Sequence, residues 1–216
     1  QPMTRLPIED LLPSLRATLA ARKALVLQAP PGAGKTTLVP LALLDAPWLQ
    51  GRTLLMLEPR RLAARAAAAR MAALLGEEVG QTVGYRIRFE TKVSKRTRIE
   101  VLTEGILTRR LQTDQSLEGV GLVIFDEFHE RHLHADLALA LCLDSQRCVR
   151  EAVKIIVMCA TLDGDAVAAL LDRAPLLTSL GRTYPVALHY LPRDLSGPLP
   201  PVVSQAVCTA LRQHPG

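Results

Sequence analysis

Short apolar runs alternate with segments of helical periodicity along most of this chain. The apolar runs are ALVLQA (24–29), TLLMLE (53–58), RIEVL (98–102), GLVIFD (121–126) and KIIVMCA (154–160). The segments with helical periodicity lie near 35–45, 61–75, 104–112, 135–149 and 164–172. Continuous apolar runs are typical of strands buried on both faces, and the connections between parallel strands are usually helices. The alternation therefore predicts an α/β fold, a mostly parallel sheet with helices on both faces.

Several of the predicted strands end in polar residues. Glu58 ends the second run, Asp126 and Glu127 follow the fourth, and Thr161 follows the fifth. Ligands of parallel sheets bind beyond the carboxyl ends of the strands. We therefore expect these side chains to meet at one edge of the sheet and to form the functional site.

Composition places the chain among globular proteins with an aliphatic core. Hydrophobic residues make up 49%, which argues against intrinsic disorder, and because aromatic residues make up only 3% the core must consist of Leu, Val, Ile and Ala. The net charge of +5 is compatible with a polyanionic partner. The four cysteines form no CxxC pair, which favours free thiols in a reducing compartment. No apolar run reaches membrane-spanning length and no secretory signal is evident, so we expect a cytoplasmic protein without a membrane partner.

The stretch APPGAGKTT (29–37) follows the first predicted strand and precedes a helix. It matches the P-loop pattern G-x-x-x-x-G-K-[ST], except that Ala29 replaces the first glycine. Such a loop surrounds phosphates with backbone N–H groups and a helix N-terminus. In this arrangement Lys35 reaches the β- and γ-phosphates and Thr36 binds Mg²⁺. We expect the nucleotide to be bound by Pro30, Pro31, Gly32, Ala33, Gly34, Lys35, Thr36 and Thr37.

The stretch LVIFDEFHERHLH (122–134) gathers two carboxylates and three histidines. A zinc protease site, an acid–base pair and a magnesium–nucleotide site are the alternatives. A zinc protease needs H-E-x-x-H, whereas the sequence from His129 reads HERHL, which places His132 one residue too early. P-loop enzymes hold Mg²⁺ with an Asp at the end of a second strand. The P-loop upstream thus favours Asp126 as a magnesium ligand and Glu127 as the group that activates water.

With these residues identified, the chain resembles the superfamily 2 helicases of the DEAH-box type, and among them the HrpB-like bacterial branch. Asp126-Glu127-Phe128-His129 occupies the DEAH position, with Phe in place of Ala. The other similar stretches, in family order, are EPRRLAA (58–64), VGYRIRFE (83–90), TEGIL (103–107), CAT (159–161) and GRTYPV (181–186). Cys159 replaces the usual serine of its motif. The resemblance implies a RecA-like P-loop NTPase domain.

The resemblance also implies roles for individual residues. Glu127, His129 and Lys35 correspond to catalytic positions, and Arg70 corresponds to an arginine that stacks on the nucleotide base. In the family, the path of the nucleic-acid backbone is lined by residues that correspond to Arg60, Arg61, Thr103, Glu104 and Gly105. Coupling between the nucleotide site and a second domain is assigned to His129 and to Cys159, Ala160 and Thr161. Plain surface charge remains the alternative for the arginines.

The pattern of strands and helices changes after Pro175, and residues 180–192 read as a linker that leads into an extended strand. We therefore predict residues 1–180 as the first RecA-like domain, and 181–216 as a linker with the truncated start of a second. The resemblance implies an ATP-dependent RNA helicase that uses Mg²⁺ and hydrolyses ATP or another NTP to move along single-stranded RNA. A DNA translocase and a nucleotide-binding module without turnover are the alternatives.

Overall fold

The computed structural model describes residues 5–114, 116–130, 132–148, 153–160, 164–181, 187–190 and 198–213. Within these ranges one sheet has the strand order β4-β3-β5-β2-β6-β7-β1-β8. The strands are β1 (Ala24–Gln28), β2 (Thr53–Leu57), β3 (Val83–Ile87), β4 (Glu90–Lys92), β5 (Ile99–Leu102), β6 (Val120–Phe125), β7 (Lys154–Cys159) and β8 (Leu176–Thr178). Neighbouring strands of this sheet pair in parallel, except that β4 is antiparallel to β3.

Helices cover both faces of the sheet. They are α1 (Leu12–Ala21), α2 (Lys35–Leu43), α3 (Arg61–Leu74), α4 (Glu104–Thr113), α5 (Leu133–Cys148), α6 (Gly164–Leu170) and α7 (Leu199–Gln213). Shorter 3-10 helices span Pro7–Leu11, Pro47–Leu49 and Phe128–Glu130. Helices α1, α2 and α3 pack on one face, and α4, α5 and α6 pack on the other. The α/β fold predicted from the alternation is confirmed.

Successive strand residues supply two separate cores, because side chains alternate across a sheet. In β6, Leu122 and Ile124 join the core beneath α1–α3, whereas Val123 and Phe125 join the core beneath α4–α6. All four side chains are fully buried. Burial of such a side chain contributes roughly 1.5–3 kcal/mol. The central strands are thus anchored from both faces, which fixes the positions at which their carboxyl ends emerge.

The chain divides into two compact units, residues 1–182 and 183–216. Helix α7 is the only regular element in the described part of the second unit. Its apolar residues Leu199, Val203, Val207 and Leu211 are spaced by four residues and are exposed. The helix predicted in this segment is confirmed, whereas its assignment to a second RecA-like domain stays a prediction. Among the described helices, none combines the length and the apolar character that a bilayer crossing requires.

Candidate nucleotide site

The loop between β1 and α2 has the backbone shape of a phosphate-binding loop. Gly32 and Gly34 both have positive φ angles, +78° and +94°, which L residues with a Cβ rarely adopt. Gly34 lies directly before α2, so the free amides of that helix N-terminus face the loop. An anion beside these amides is stabilised by their donors and by the helix dipole.

Gly34 is required for a second reason, a close contact with the N-terminal segment. A Cβ at this position would lie 2.8 Å from Leu6 Cδ1 and 3.2 Å from Ile8 Cγ2. The Ile8 N–H donates to the Ala33 carbonyl oxygen over 3.1 Å. The segment before α1 therefore packs against the outer side of the loop and supports its shape.

Thr36 and Asp126 bring two oxygen ligands together. Thr36 lies in the first turn of α2 and Asp126 directly follows β6, two strands away from β1. The Thr36 hydroxyl donates to Asp126 Oδ2 over 2.6 Å. Burial raises the pKa of Asp126 to about 6, against the Thr36 hydrogen bond and the Lys35 charge, which lower it. A buried carboxylate beside a hydroxyl, both oxygen donors, fits a hard cation such as Mg²⁺.

Both carboxylate oxygens of Glu127 have a polar partner. Lys35 Nζ lies 3.0 Å from Glu127 Oε1, and His129 Nε2 lies 3.3 Å from Glu127 Oε2. The Ala160 N–H donates to His129 Nδ1 over 3.2 Å, which assigns the ring proton to Nε2. The loop, the acidic pair and the end of β7 are thus joined through hydrogen bonds and charge.

The backbone of Glu127 is in the left-handed region, with φ of +50°. Its N–H donates to Asp126 Oδ1 over 2.8 Å, and its carbonyl oxygen accepts the Glu130 N–H over 3.0 Å. These bonds hold a conformation that is unfavourable for a residue with a side chain. The sharp turn directs the neighbouring carboxylates into different environments, Asp126 buried and Glu127 partly exposed.

Glu58 adds a third carboxylate at the same edge of the sheet. It directly follows β2 and is 4% exposed. Its pKa is raised to about 8, first by burial and then by the charges of Asp126 and Glu127. The sequence predicts Glu58 at the end of a strand but does not predict a role for it. Glu58 lines the same cavity as Ala63, Ala66 and Ala67 of α3.

A cavity of about 400 Å³ opens beside these carboxylates. Arg70, exposed on α3, lies at its rim and also borders an apolar cavity of about 500 Å³ beside α2. The lining residues of the first cavity are Thr36, Thr37, Glu58, Arg60, Ala63, Ala66, Ala67, Arg70, Glu127 and Glu130. Four of the predicted nucleotide-site residues, Thr36, Thr37, Arg70 and Glu127, thus border one open space.

The residues predicted to follow a nucleic-acid backbone lie at the starts of α3 and α4. Strands β2 and β5 are paired, so the two helices start at the same edge. Arg60 and Arg61 are exposed at the start of α3. Thr103 is buried before α4, and the Cβ position of Gly105 faces open space. Their role in nucleic-acid binding stays a prediction.

The remaining predicted positions differ in how far the structure describes them. Cys159 is buried at the end of β7, and Ala160 contacts His129. Thr161 lies outside the described residues. Among the described residues there is no group of three or more His, Cys, Asp or Glu side chains arranged to hold a metal ion. His129 Nε2 contacts Glu127 Oε2.

Comparison with known proteins identifies a family that this chain resembles. The sequence model of the DEAD/DEAH box helicase family matches residues 13–170. The chain is 49% identical to the ATP-dependent RNA helicase HrpB of Escherichia coli over 214 residues, which is 99% of the chain and 26% of that protein. It is 34% identical to an ATP-dependent RNA helicase HrpA homolog of Haemophilus influenzae over 187 residues, 87% of the chain and 14% of that protein.

The fold agrees with the sequence match. A crystal structure of the Escherichia coli DEAH/RHA helicase HrpB superimposes with a TM-score of 0.88 at 49% identity, over 97% of this chain and 27% of that one. The chain therefore spans about a quarter or less of the length of these relatives. The predicted RecA-like α/β fold and the predicted resemblance to HrpB-like helicases are both confirmed. With its P-loop, its acidic pair and this fold, the chain belongs to the DEAD/DEAH box helicase family.

Proposed function

We propose that this chain is the nucleotide-binding motor domain of an ATP-dependent RNA helicase that couples Mg²⁺-dependent NTP hydrolysis to movement along single-stranded RNA. The observation that carries the proposal is the contact between Thr36 and Asp126, beside the Lys35–Glu127 pair. It supports a site in which the P-loop and the end of β6 act on one nucleotide. The names of the HrpB and HrpA relatives support RNA as the nucleic acid.

In the proposed mechanism the loop amides and Lys35 bind the phosphates. Thr36 and Asp126 would hold Mg²⁺, which offsets negative charge on the phosphate oxygens. The phosphates would compete with Glu127 for Lys35, because Lys35 also pairs with Glu127, and a Lys35 side chain bound to phosphate would leave Glu127 free. Glu127 can then orient a water molecule and accept its proton. His129 contacts the second carboxylate oxygen of Glu127 and accepts a hydrogen bond from the Ala160 N–H. It therefore connects Glu127 to Ala160.

We further propose that movement along RNA needs a second RecA-like domain, for which residues 181–216 provide the linker and the start. Arg60, Arg61, Thr103, Glu104 and Gly105 would contact the RNA backbone, and Arg70 would stack on the base. Contacts to phosphates alone distinguish RNA poorly from DNA. A DNA translocase is therefore the alternative, and the cytoplasmic location stays a prediction.

The nucleotide site is tested by Lys35→Ala. The substitution removes the cation of the loop, and we expect at least a tenfold loss of Mg·ATP and Mg·ADP affinity by titration calorimetry. Lys95→Ala removes the same charge from an exposed loop and should leave both affinities unchanged. Wild-type affinity in Lys35→Ala would exclude this loop as the nucleotide site.

The nucleic-acid substrate is tested by the ATPase rate of a longer protein that contains this chain and a second RecA-like domain. Single-stranded RNA should stimulate turnover more than DNA of the same sequence, because the 2′-hydroxyl distinguishes the two. Equal or greater stimulation by DNA would favour the translocase.

A further inference from the structure

Glu130 contacts the cationic side chain of Arg60, which has no role in the proposed binding of nucleotide. It lies in the 3-10 helix Phe128–Glu130, three residues after Glu127. Its Oε1 pairs with Arg60 Nη2, and its Oε2 lies 2.9 Å from His132 Nε2. Both oxygens of this carboxylate are therefore engaged, and Arg60 is directed toward the cavity beside Glu127.

The Arg60–Glu130 pair is suited to exchange rather than to stabilising the fold. The Arg60 side chain is 70% exposed and that of Glu130 is 20% exposed. Exposed ion pairs contribute little to stability because water screens the charges and two side chains lose freedom. A phosphate that approaches the start of α3 offers Arg60 an acceptor at least as good as a carboxylate.

We propose that Glu130 is a positioning residue that competes with RNA phosphate for Arg60. In the RNA-free state the carboxylate holds Arg60 at the nucleotide cavity, and RNA must displace it to gain this contact. The inference rests on the proposed function, because it assumes that Arg60 contacts the RNA backbone. It goes further by identifying the side chain that opposes RNA binding.

The same carboxylate is connected to the hydrolytic site through the backbone. The Glu130 N–H donates to the Glu127 carbonyl oxygen over 3.0 Å, within the turn that gives Glu127 its left-handed conformation. This hydrogen bond links the position of Glu130 to the backbone conformation of Glu127.

The test is a double-mutant cycle read out by fluorescence anisotropy, with the 216-residue chain and a labelled single-stranded oligouridine without nucleotide. Glu130→Gln should tighten RNA binding about two- to fivefold, the factor that corresponds to removal of an exposed ion pair. Glu118→Gln is the matched control, because Glu118 is exposed in a loop and its substitution changes the net charge equally. With Arg60→Ala present, Glu130→Gln and Glu118→Gln should have the same effect.

The outcomes separate this inference from the function on which it rests. Equal affinities of Glu130→Gln and Glu118→Gln with Arg60 present would overturn the competition. A gain from Glu130→Gln that persists in the Arg60→Ala background would overturn it too, because the effect would not pass through Arg60. If Arg60→Ala alone left RNA affinity unchanged, the competition would fail while the helicase function stood. Absence of RNA binding by the wild-type chain would overturn the competition, whereas the helicase function is tested separately by the RNA-stimulated ATPase rate of the longer protein.

Discussion

Asp126 and Glu127 are adjacent carboxylates with different chemical settings. Asp126 is 4% exposed and accepts the Thr36 hydroxyl, whereas Glu127 is partly exposed and pairs with Lys35 and His129. The left-handed turn at Glu127 separates the two side chains, although they are one residue apart. Asp126 can thus bind a cation while Glu127 activates a water molecule.

The two carboxylates should therefore differ when each is substituted in the longer two-domain protein. Glu127→Gln keeps the size of the side chain but cannot accept a proton, so we expect Mg·ATP affinity within about threefold of wild type and a loss of about 10²–10⁴ in turnover. Asp126→Ala should also weaken Mg²⁺-dependent nucleotide binding. Calorimetry and steady-state ATPase rates separate the two effects. Normal turnover in both variants would place hydrolysis elsewhere.

Glu58 should make the stability of the fold depend on pH. Its pKa rises from 4.5 to about 8 on folding, so between these values the folded state binds a proton that the unfolded state has lost. Stability from this group is complete below pH 4.5 and falls as pH rises toward 8, by at most about 1.4 kcal/mol per pH unit. Glu58→Gln removes the ionisation, so it should be more stable than wild type at about pH 8 and similar near pH 4.5.

Urea unfolding from about pH 4.5 to about pH 8.5 measures this effect, with Glu118→Gln as a control for removal of an exposed carboxylate. The Glu58→Gln curve should diverge from wild type as pH rises, and the Glu118→Gln curve should not. Curves for Glu58→Gln and wild type that stay parallel over the whole range would show that Glu58 is ionised in the folded protein.

At the scale of residues, the sequence predicts which side chains lie close together where that proximity follows from chain position. Lys35 and Thr36 follow a strand within a recognisable spacing, and Asp126 ends a second strand, so their proximity followed from the parallel sheet. The raised pKa of Glu58 and the Arg60–Glu130 pair could not be foreseen in this way. Both depend on how α3 and the turn after β6 pack together, which no local pattern encodes.

The predicted apolar runs correspond to β1, β2, β5, β6 and β7, whereas β3, β4 and the three-residue strand β8 were missed. Strands β1, β2, β5, β6 and β7 are fully or mostly buried, and their runs are apolar. Strand β3 contains Gly84 and Arg86, which interrupt its pattern. A Cβ at Gly84 would lie 2.3 Å from the Lys92 carbonyl oxygen, so the glycine permits the antiparallel approach of β4. Close backbone contact, rather than hydrophobic periodicity, defines this pair.

The start of α3 gives a prediction at the element scale. Arg60 and Arg61 are exposed where β2 ends, beside the start of α4. Phosphate contacts add affinity without reading sequence, so removal of both arginines should weaken binding to unrelated single-stranded RNAs by similar factors. The slope of log K against log salt should also decrease by about 0.7 for each phosphate that the protein no longer neutralises.

Anisotropy titrations over a range of salt concentrations, with a pyrimidine-rich and a purine-rich RNA, measure both quantities. Lys95→Ala/Arg96→Ala is a matched control, because it removes two exposed charges from another loop. A weakening confined to one of the two RNAs would contradict backbone contact, and an unchanged salt slope would contradict a phosphate contact.

At the scale of the whole molecule, the described residues contain a nucleotide site that is open on one side. The cavity beside Glu58 and Glu127 is bordered by Arg60 and Arg70 from the region of α3. Lys35 is buried in the ion pair with Glu127. The described arginines at this cavity lie on the side of α3, and we expect further positive charge to face the γ-phosphate from the opposite side. In helicases of this type we expect it from arginines of a second RecA-like domain.

We therefore expect the 216-residue chain alone to bind Mg·ATP but to be a poor ATPase and not a helicase. Arginine supplied to the transferring phosphate contributes about 10³–10⁵ in rate in P-loop enzymes, so its absence should leave turnover near background. Unwinding also requires two domains that move against each other along the strand. The measurement compares the ATPase rate of this chain with that of the longer two-domain protein at saturating single-stranded RNA. The Glu127→Gln variant of each protein gives the background rate. RNA-stimulated turnover of the short chain within about tenfold of the longer protein would show that residues 1–216 already hold the full catalytic set.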